Sequence, residues 1–205
     1  MCLVYILDDD EELSASLAWL LESVGIASER FRDARAFLSS YNRDRPGCLV
    51  LDVRMPELSG FDVQELLNET GAPLPVVFVS AHGDVRMSVR ALQNGAADFL
   101  EKPYDPQHML DVVQAARRTA RRRFETAARR GELRAKLDGL TVREREVLTL
   151  SAEGVPNKQI AGRLGISAKT VDVHRARIRE KTGAESIPAL VHDLLRLGLC
   201  PPAGK

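Results

Sequence analysis

Cys48-Leu49-Val50-Leu51-Asp52-Val53-Arg54-Met55-Pro56 decides the fold. An unbroken apolar tetrad, bounded by Pro46-Gly47 before and Pro56 after, reads as a fully buried parallel strand with Asp52 where that strand surfaces. A charge there is costly unless it is paired or has a chemical task. Three other apolar runs end in the same way: Leu3–Leu7 in Asp8-Asp9, Val76–Val79 in Ser80, and Phe99-Leu100 just before Lys102. The pattern predicts strands over 3–7, 26–31, 48–53, 76–80 and 97–101. Helical patterns alternate with them near 11–24, 33–41, 60–70 and 84–94, and a fifth starts near Pro106. Such alternation implies right-handed crossovers and a parallel sheet covered on both faces. Ligands of open α/β sheets bind beyond the carboxyl ends of the strands, where Asp8, Asp9, Asp52, Ser80 and Lys102 all fall.

A chain of 205 residues is long enough for two small domains. Its 44% apolar and 28% charged residues are ordinary for a soluble globular protein. The apolar stretch Leu3–Leu7 is far too short for a signal-peptide core or a membrane span. Cys2, Cys48 and Cys200 have no metal-ligand spacing, and an odd count argues against a disulfide framework, so a reduced, cytoplasmic protein is expected. The zero net charge hides a split. Residues 1–119 carry 11 Lys/Arg against 19 Asp/Glu, a net of −8, while residues 120–205 carry 18 against 10, a net of +8. An acidic half joined to a basic half suggests two tasks, with nucleic acid a natural partner of the second.

Residues 107–137 contain no proline and one glycine, Gly131. Met109, Val113, Ala116, Ala120, Phe124 and Ala127 recur at helical spacing, which favours one helix running out of the first domain, flanked by Arg117-Arg118 and Arg121-Arg122-Arg123. The alternative is a helix that frays near Gly131 into a tether. Beyond it only short helical segments follow. Thr141-Val142-Arg143-Glu144 fits a capping box, and Asn157, Ser167 and Ser186 suit N-caps. Leu164-Gly165-Ile166-Ser167 is a short turn between two of these helices, giving a helix-turn-helix signature in a basic context.

Asp8, Asp9 and Asp52 supply hard oxygen donors that suit Mg²⁺, or Mn²⁺ in its place, rather than zinc or copper. Lys102 adds a point charge for a phosphoryl oxygen and Ser80 a hydroxyl donor. Phosphoryl transfer needs mainly positioning and charge neutralisation, which this set offers. Asp8–Asp10 also suit the cap of the following helix.

Asp8-Asp9, Asp52 with Met55-Pro56 and Gly60, Ser80, and Lys102-Pro103 together resemble the receiver domain of bacterial two-component response regulators over residues 1–119. The resemblance implies a flavodoxin-like, doubly wound, five-stranded parallel sheet. It implies that Asp52 accepts a phosphoryl group from a phosphohistidine on a sensor histidine kinase. Asp9, Asp52 and the backbone carbonyl of Arg54 would hold Mg²⁺, with Asp8 assisting, and Lys102 would pair with the phosphoryl group before a cis Pro103. Ser80 and Phe99 would form the switch, the ring filling space left as Ser80 is drawn inward. Catalysis would be limited to the protein's own Mg²⁺-dependent phosphoryl uptake and slow loss. A phosphohydrolase using Asp52 as nucleophile is disfavoured, because Arg54 stands where its general acid would be.

Residues 140–199 resemble the LuxR-type helix-turn-helix domain through Leu140–Leu148, Gly154–Ala161 and Ser167–His174, which with the receiver makes the FixJ/NarL architecture. Residues 120–139 are the expected helical linker to this all-α domain. At 100° per residue, Val171, His174 and Ile178 share the face that should pack on Ile160 and Leu164. Lys169, Asp172, Val173, Ala176 and Arg177 are the candidates for base edges, and Lys158, Thr170, Arg175 and Lys181 for phosphates. Thr182 departs from the larger apolar residue usual in the family, which implies looser packing at that helix end. The implied function is a transcriptional regulator switched by phosphorylation, dimeric when phosphorylated through the 84–94 helix and 97–101 strand. Its partners would be promoter DNA and RNA polymerase, with no membrane involved. A phosphate-relaying adaptor is the other alternative, which the helix-turn-helix disfavours.

Overall fold

The described residues form five strands: β1 (Leu3–Leu7), β2 (Ser28–Phe31), β3 (Gly47–Asp52), β4 (Val76–Ser80) and β5 (Asp98–Glu101). The computed structural model describes residues 2–81 and 85–199. All neighbouring strands pair in parallel, in the order β2-β1-β3-β4-β5. Between them lie α1 (Glu11–Ser23), α2 (Ala34–Ser40), α3 (Gly60–Glu69) and α4 (Val85–Gln93), and α5 (Pro106–Asp138) follows β5. Cys200 and Asp84, the expected first residue of α4, lie outside the described residues.

Alternation along each strand sorts the core into two layers. Tyr5, Leu7, Leu49, Leu51 and Phe78 pack with Phe37, Val63, Leu67 and Ala91 of α2, α3 and α4. Val4, Ile6, Cys48, Val50, Val77 and Val79 pack with Leu17 and Leu21 of α1 and Met109, Val113 and Ala116 of α5. Apolar side chains on both faces are why these strands read as continuous runs. Cys2 and Cys48 are free thiols within this core. The β2 expectation began two residues early. Ile26 is buried, but its N–H is taken by the Leu21 carbonyl at 2.9 Å in closing the end of α1, so sheet pairing starts at Val4 opposite Ser28.

Gly60 explains a feature that the sequence only flagged. A Cβ at this position would lie 2.4 Å from the Asp52 carbonyl oxygen and 3.1 Å from the Val53 Cα. The start of α3 therefore presses on the backbone of the strand end that carries Asp52, and backbone cannot yield as a flexible side chain can.

The chain divides into two compact units, Met1–Glu125 and Thr126–Lys205. Of the two alternatives for 107–137, the structure takes the continuous helix. Its buried face is not the single stripe expected. Met109, Val113, Ala116 and Ala120 are buried, Phe124 is half-buried and Ala127 is exposed, and no side chain of 121–132 is buried. Leu133 and Leu137, within the expected linker, belong to the core of the second unit.

In that unit α6 (Val142–Ala152), α7 (Asn157–Leu164), α8 (Ala168–Thr182) and α9 (Ile187–Arg196) enclose Val147, Leu148, Ile160, Val171, Ile178, Leu190 and Leu194. Gly165, at φ +65°, takes the left-handed conformation that ends α7, and the Ile166 N–H returns to the Ala161 carbonyl at 3.0 Å. Ser167 then caps α8 and Ser186 caps α9, as expected. The cap expected at Asn157 is a correction. Pro156 holds the N-cap position of α7 without a side-chain hydrogen bond, and the Asn157 side chain is engaged by α8. Thr182 is buried and donates to the Ile178 carbonyl at 2.7 Å, so its hydroxyl is satisfied within the helix.

The expected capping box of α6 is present, and it reaches further than the sequence implied. Glu144, 2% exposed, accepts from the Thr141 N–H at 2.8 Å and from Lys181 Nζ of α8 at 2.7 Å. Burial opposes its ionisation, but the bonds from Lys181 and Thr141 hold its carboxyl below the usual range. Its stabilising contribution is therefore present at neutral pH and lost as the pH falls through the lowered value. Lys181→Met leaves the buried carboxylate without its cation and is expected to cost about 1–3 kcal/mol in urea unfolding at pH 7, with the deficit shrinking in acid. An unchanged midpoint at pH 7 would contradict this role.

Candidate functional site

Three strand ends deliver the first site. Asp8 follows β1, Asp52 closes β3, and Lys102 lies just beyond β5. The Lys102 ammonium donates to Asp8 Oδ2 and to Asp52 Oδ1, each at 2.7 Å. Both carboxylates are nearly enclosed, at 5% and 6% exposure, so the three groups form one partly buried polar cluster. The second oxygen of each carboxylate is also occupied. Asp8 Oδ1 accepts from the Asp10 N–H at 3.0 Å, and Asp52 Oδ2 from the Arg54 N–H at 2.6 Å. The peptide bond between Lys102 and Pro103 is cis, as the resemblance implied.

The acidic run after β1 divides its labour. Asp10 caps α1, accepting from the Glu12 and Leu13 N–H groups. Asp8 turns into the cluster, and Asp9 is exposed. Among the described residues no three His, Cys, Asp or Glu side chains are gathered closely enough to hold a metal. Asp8 and Asp52 are brought together, but around Lys102 and without Asp9. Arg54 meets Asp52 through its N–H, while the expectation for this residue concerned its carbonyl.

Ser80 is buried at the end of β4, and its carbonyl accepts from the Lys102 N–H at 2.8 Å. Phe99 is half-buried on β5 opposite Phe78, with the two ring centres 6.3 Å apart. The expected switch pair thus occupies neighbouring strands at the site's rim. Glu57, in the loop after β3, adopts φ +65°, and the Leu58 N–H closes onto the Pro56 carbonyl at 2.8 Å. That tight turn stores backbone strain in the loop that follows Asp52.

Burial pushes the Asp52 carboxyl above the usual carboxylate range, against the pull of Lys102 and the Arg54 N–H. Burial acts to lower Lys102, but its bonds to Asp52 and Asp8 prevail and hold the ammonium above the usual lysine value. Both partners shift upward, so the cluster favours the ammonium and opposes ionisation of the Asp52 carboxyl. An ionised Asp52 is therefore kept at a cost in stability.

The second site is the outward face of α8. Lys169, Asp172, Val173, Ala176 and Arg177 are all exposed, and Lys158 is exposed on α7. Val171 and Ile178 are fully buried, while His174 is half-buried with Nδ1 enclosed and lacking a hydrogen-bond partner. Thr170 shares a hydroxyl hydrogen bond with Ser167 at 2.8 Å. Lys181, expected at a phosphate, is held by Glu144 and by the Gly139 carbonyl, so the structure gives it a different task. Asn157 donates to Asp172 and accepts from Arg175. This tie is not legible in the sequence, because an asparagine at a helix start reads first as a cap.

A family model described as the response regulator receiver domain matches residues 4–114, and one for bacterial regulatory proteins of the luxR family matches 138–194. The response regulator protein TodT of Pseudomonas putida is 43% identical over 194 residues, covering 95% of this chain and 86% of its own. The transcriptional regulatory protein FixJ of Azorhizobium caulinodans is 41% identical over 198 residues, covering 97% and 94%. Among solved structures, response regulator StyR aligns with a TM-score of 0.79 at 40% identity, covering 95% of this chain and 98% of that one. Full-length FixJ from B. japonicum aligns at 0.56 and 35% identity, covering 96% and 97%.

The raised Asp52 value means that this group favours the folded state most below the ordinary carboxylate range, and that the contribution is lost as pH rises through the raised value. Asp52→Asn keeps the shape and removes the charge. It is expected to raise Tm at neutral pH by about 2–5 °C, with the difference closing toward pH of about 4. A Tm difference that did not change with pH would contradict the assignment.

Proposed function

Because the chain belongs to the bacterial response regulators that join a receiver domain to a LuxR-type DNA-binding domain, we propose that Asp52 is the residue whose phosphorylation switches it. The Asp8–Lys102–Asp52 cluster carries this reading. An Asp52 carboxylate oxygen attacks the phosphorus of a phosphohistidine on the sensor kinase. The phosphorus–nitrogen bond breaks, the imidazole leaves with the electron pair, and an acyl phosphate forms. Lys102 then follows the new charge, releasing one carboxylate to pair with a phosphoryl oxygen. Ser80 donates its hydroxyl to another.

The donor chemistry suits a hard divalent cation, with Asp9 required to turn in beside Asp52 to complete the set. Asp8 and Asp52 carry more negative charge than one ammonium offsets, and Asp9 adds a carboxylate on the adjacent residue. Asp9, Asp52 and the Arg54 carbonyl would hold Mg²⁺, with Asp8 beside them, and the bound ion supplies charge neutralisation for the phosphoryl oxygens. The chemistry is confined to the protein's own phosphoryl group.

Movement of Ser80 toward the phosphate opens room for Phe99 to turn inward from its half-buried position. That biases the surface of α4 and β5. Val85, Val89 and Leu92 of α4 are 79%, 46% and 49% exposed at i, i+4 and i+7, a solvent-facing apolar row suited to a second copy of the chain. Dimerisation then places two α8 faces on paired half-sites of promoter DNA. Lys169, Asp172, Val173, Ala176 and Arg177 meet base edges there, and Lys158, Thr170 and Arg175 meet phosphates. RNA polymerase is the downstream partner, and the cytoplasm is the compartment where kinase and promoter are both accessible. No described helix is long and apolar enough to cross a membrane.

Beryllofluoride, a phosphate mimic, is expected with Mg²⁺ to shift the protein toward dimer in sedimentation. It should tighten specific DNA binding on the order of tenfold. Asp52→Ala should show neither effect. An equal response from that variant would overturn the switch.

A further inference from the structure

Asn157 is a polar link between α7 and α8, the helix proposed to face DNA. Its Nδ2 donates to Asp172 Oδ1 at 2.7 Å, and its Oδ1 accepts from Arg175 Nη1. A carboxamide is a neutral side chain that can donate to a carboxylate and accept from a guanidinium at once. The bond from Asn157 to Asp172 is exposed and the one from Arg175 to Asn157 is partly buried, and the Asp172 side chain reaches the exposed face. Asp172 and Arg175 are three residues apart and therefore neighbours on the helix surface. The three side chains line a depression of about 330 Å³ with Ala176, Arg179 and Ser186, which leaves room beside them.

The chemistry follows from what each partner keeps. Asp172 retains one carboxylate oxygen as an acceptor, and in the major groove a carboxylate accepts from the N4 amine of cytosine. An unrestrained aspartate there would add repulsion from phosphates and the entropic cost of ordering its side chain. Arg175 retains N–H donors for a phosphate. We propose that Asn157 is a positioning residue for DNA specificity. By fixing Asp172 it sets a preference for cytosine at one base pair of each half-site, and by fixing Arg175 it anchors the adjacent phosphate. This rests on the DNA-binding reading above.

The test selects sites from a randomised duplex library with the full-length protein and measures salt dependence on the selected site. Wild type is expected to prefer cytosine at one position, and Asp172→Ala to lose that preference. Asn157→Asp keeps an acceptor for Arg175 but sets a like charge against Asp172. It is expected to lower discrimination at that position on the order of 5- to 20-fold while leaving the salt slope unchanged. A negative charge in the first turn of α7 is favourable, so this variant folds. On the Asp172→Ala background it should change the base preference no further. Asn157→Ala should also reduce the salt slope by about one. Unaltered base preference in Asn157→Asp, or a loss of affinity equal for all sequences, would overturn the inference and leave the DNA-binding reading standing. A wild-type protein that selected no sequence at all would overturn both.

Discussion

One ammonium holds the receiver site together. Lys102 donates to carboxylates from two adjacent strand ends, and without it Asp8 and Asp52 would face each other as buried like charges. The strand order sets the difficulty, because β4 lies between β3 and β5. The fold meets it with a long side chain. The Lys102 backbone is tied to the end of β4 through the Ser80 carbonyl, and the flexible stem carries the charge across to β1 and β3. The other features serve that geometry: two apolar layers fix the strand ends, and Gly60 lets α3 start against the backbone that presents Asp52. Burial of Asp52 raises its carboxyl above the usual range, so its ionised form is held at a cost.

Much of this was legible in the sequence because burial on both faces writes parallel strands as apolar runs. Asp8, Asp52, Ser80 and Lys102 were visible as polar interruptions at the ends of such runs. What was not legible depends on side-chain choices among near-equal options. Asp8, Asp9 and Asp10 are chemically alike, and only the turn into α1 decides that Asp10 caps, Asp8 enters the cluster and Asp9 stays exposed. The helical stripe along α5 was continued through Phe124 and Ala127, because periodicity records what a helix has available to bury. What it does bury is set by each unit's own core, and the buried face resumes at Leu133 in another register.

The same lesson holds in the basic half. Cationic side chains looked interchangeable by composition, yet the structure separates them. Lys181 neutralises buried Glu144, Arg175 is tied to Asn157, and Lys169 and Arg177 stand on the exposed face. Charge count suggested nucleic acid, while hydrogen bonding separates charges that maintain the domain from charges that face outward. Glu144 joins the start of α6 to the end of α8, and Asn157 joins the start of α7 to its middle, so two polar ties hold α8 against its neighbours.

The central claim is that Asp52 is the phosphate acceptor. Its most direct test incubates the protein with acetyl phosphate and Mg²⁺, reduces any acyl phosphate with borohydride, and maps the modified residue by peptide mass spectrometry. The account predicts reductive modification at position 52 alone, and none in Asp52→Asn. Modification at any other carboxylate of the wild-type protein, with position 52 untouched, would contradict it.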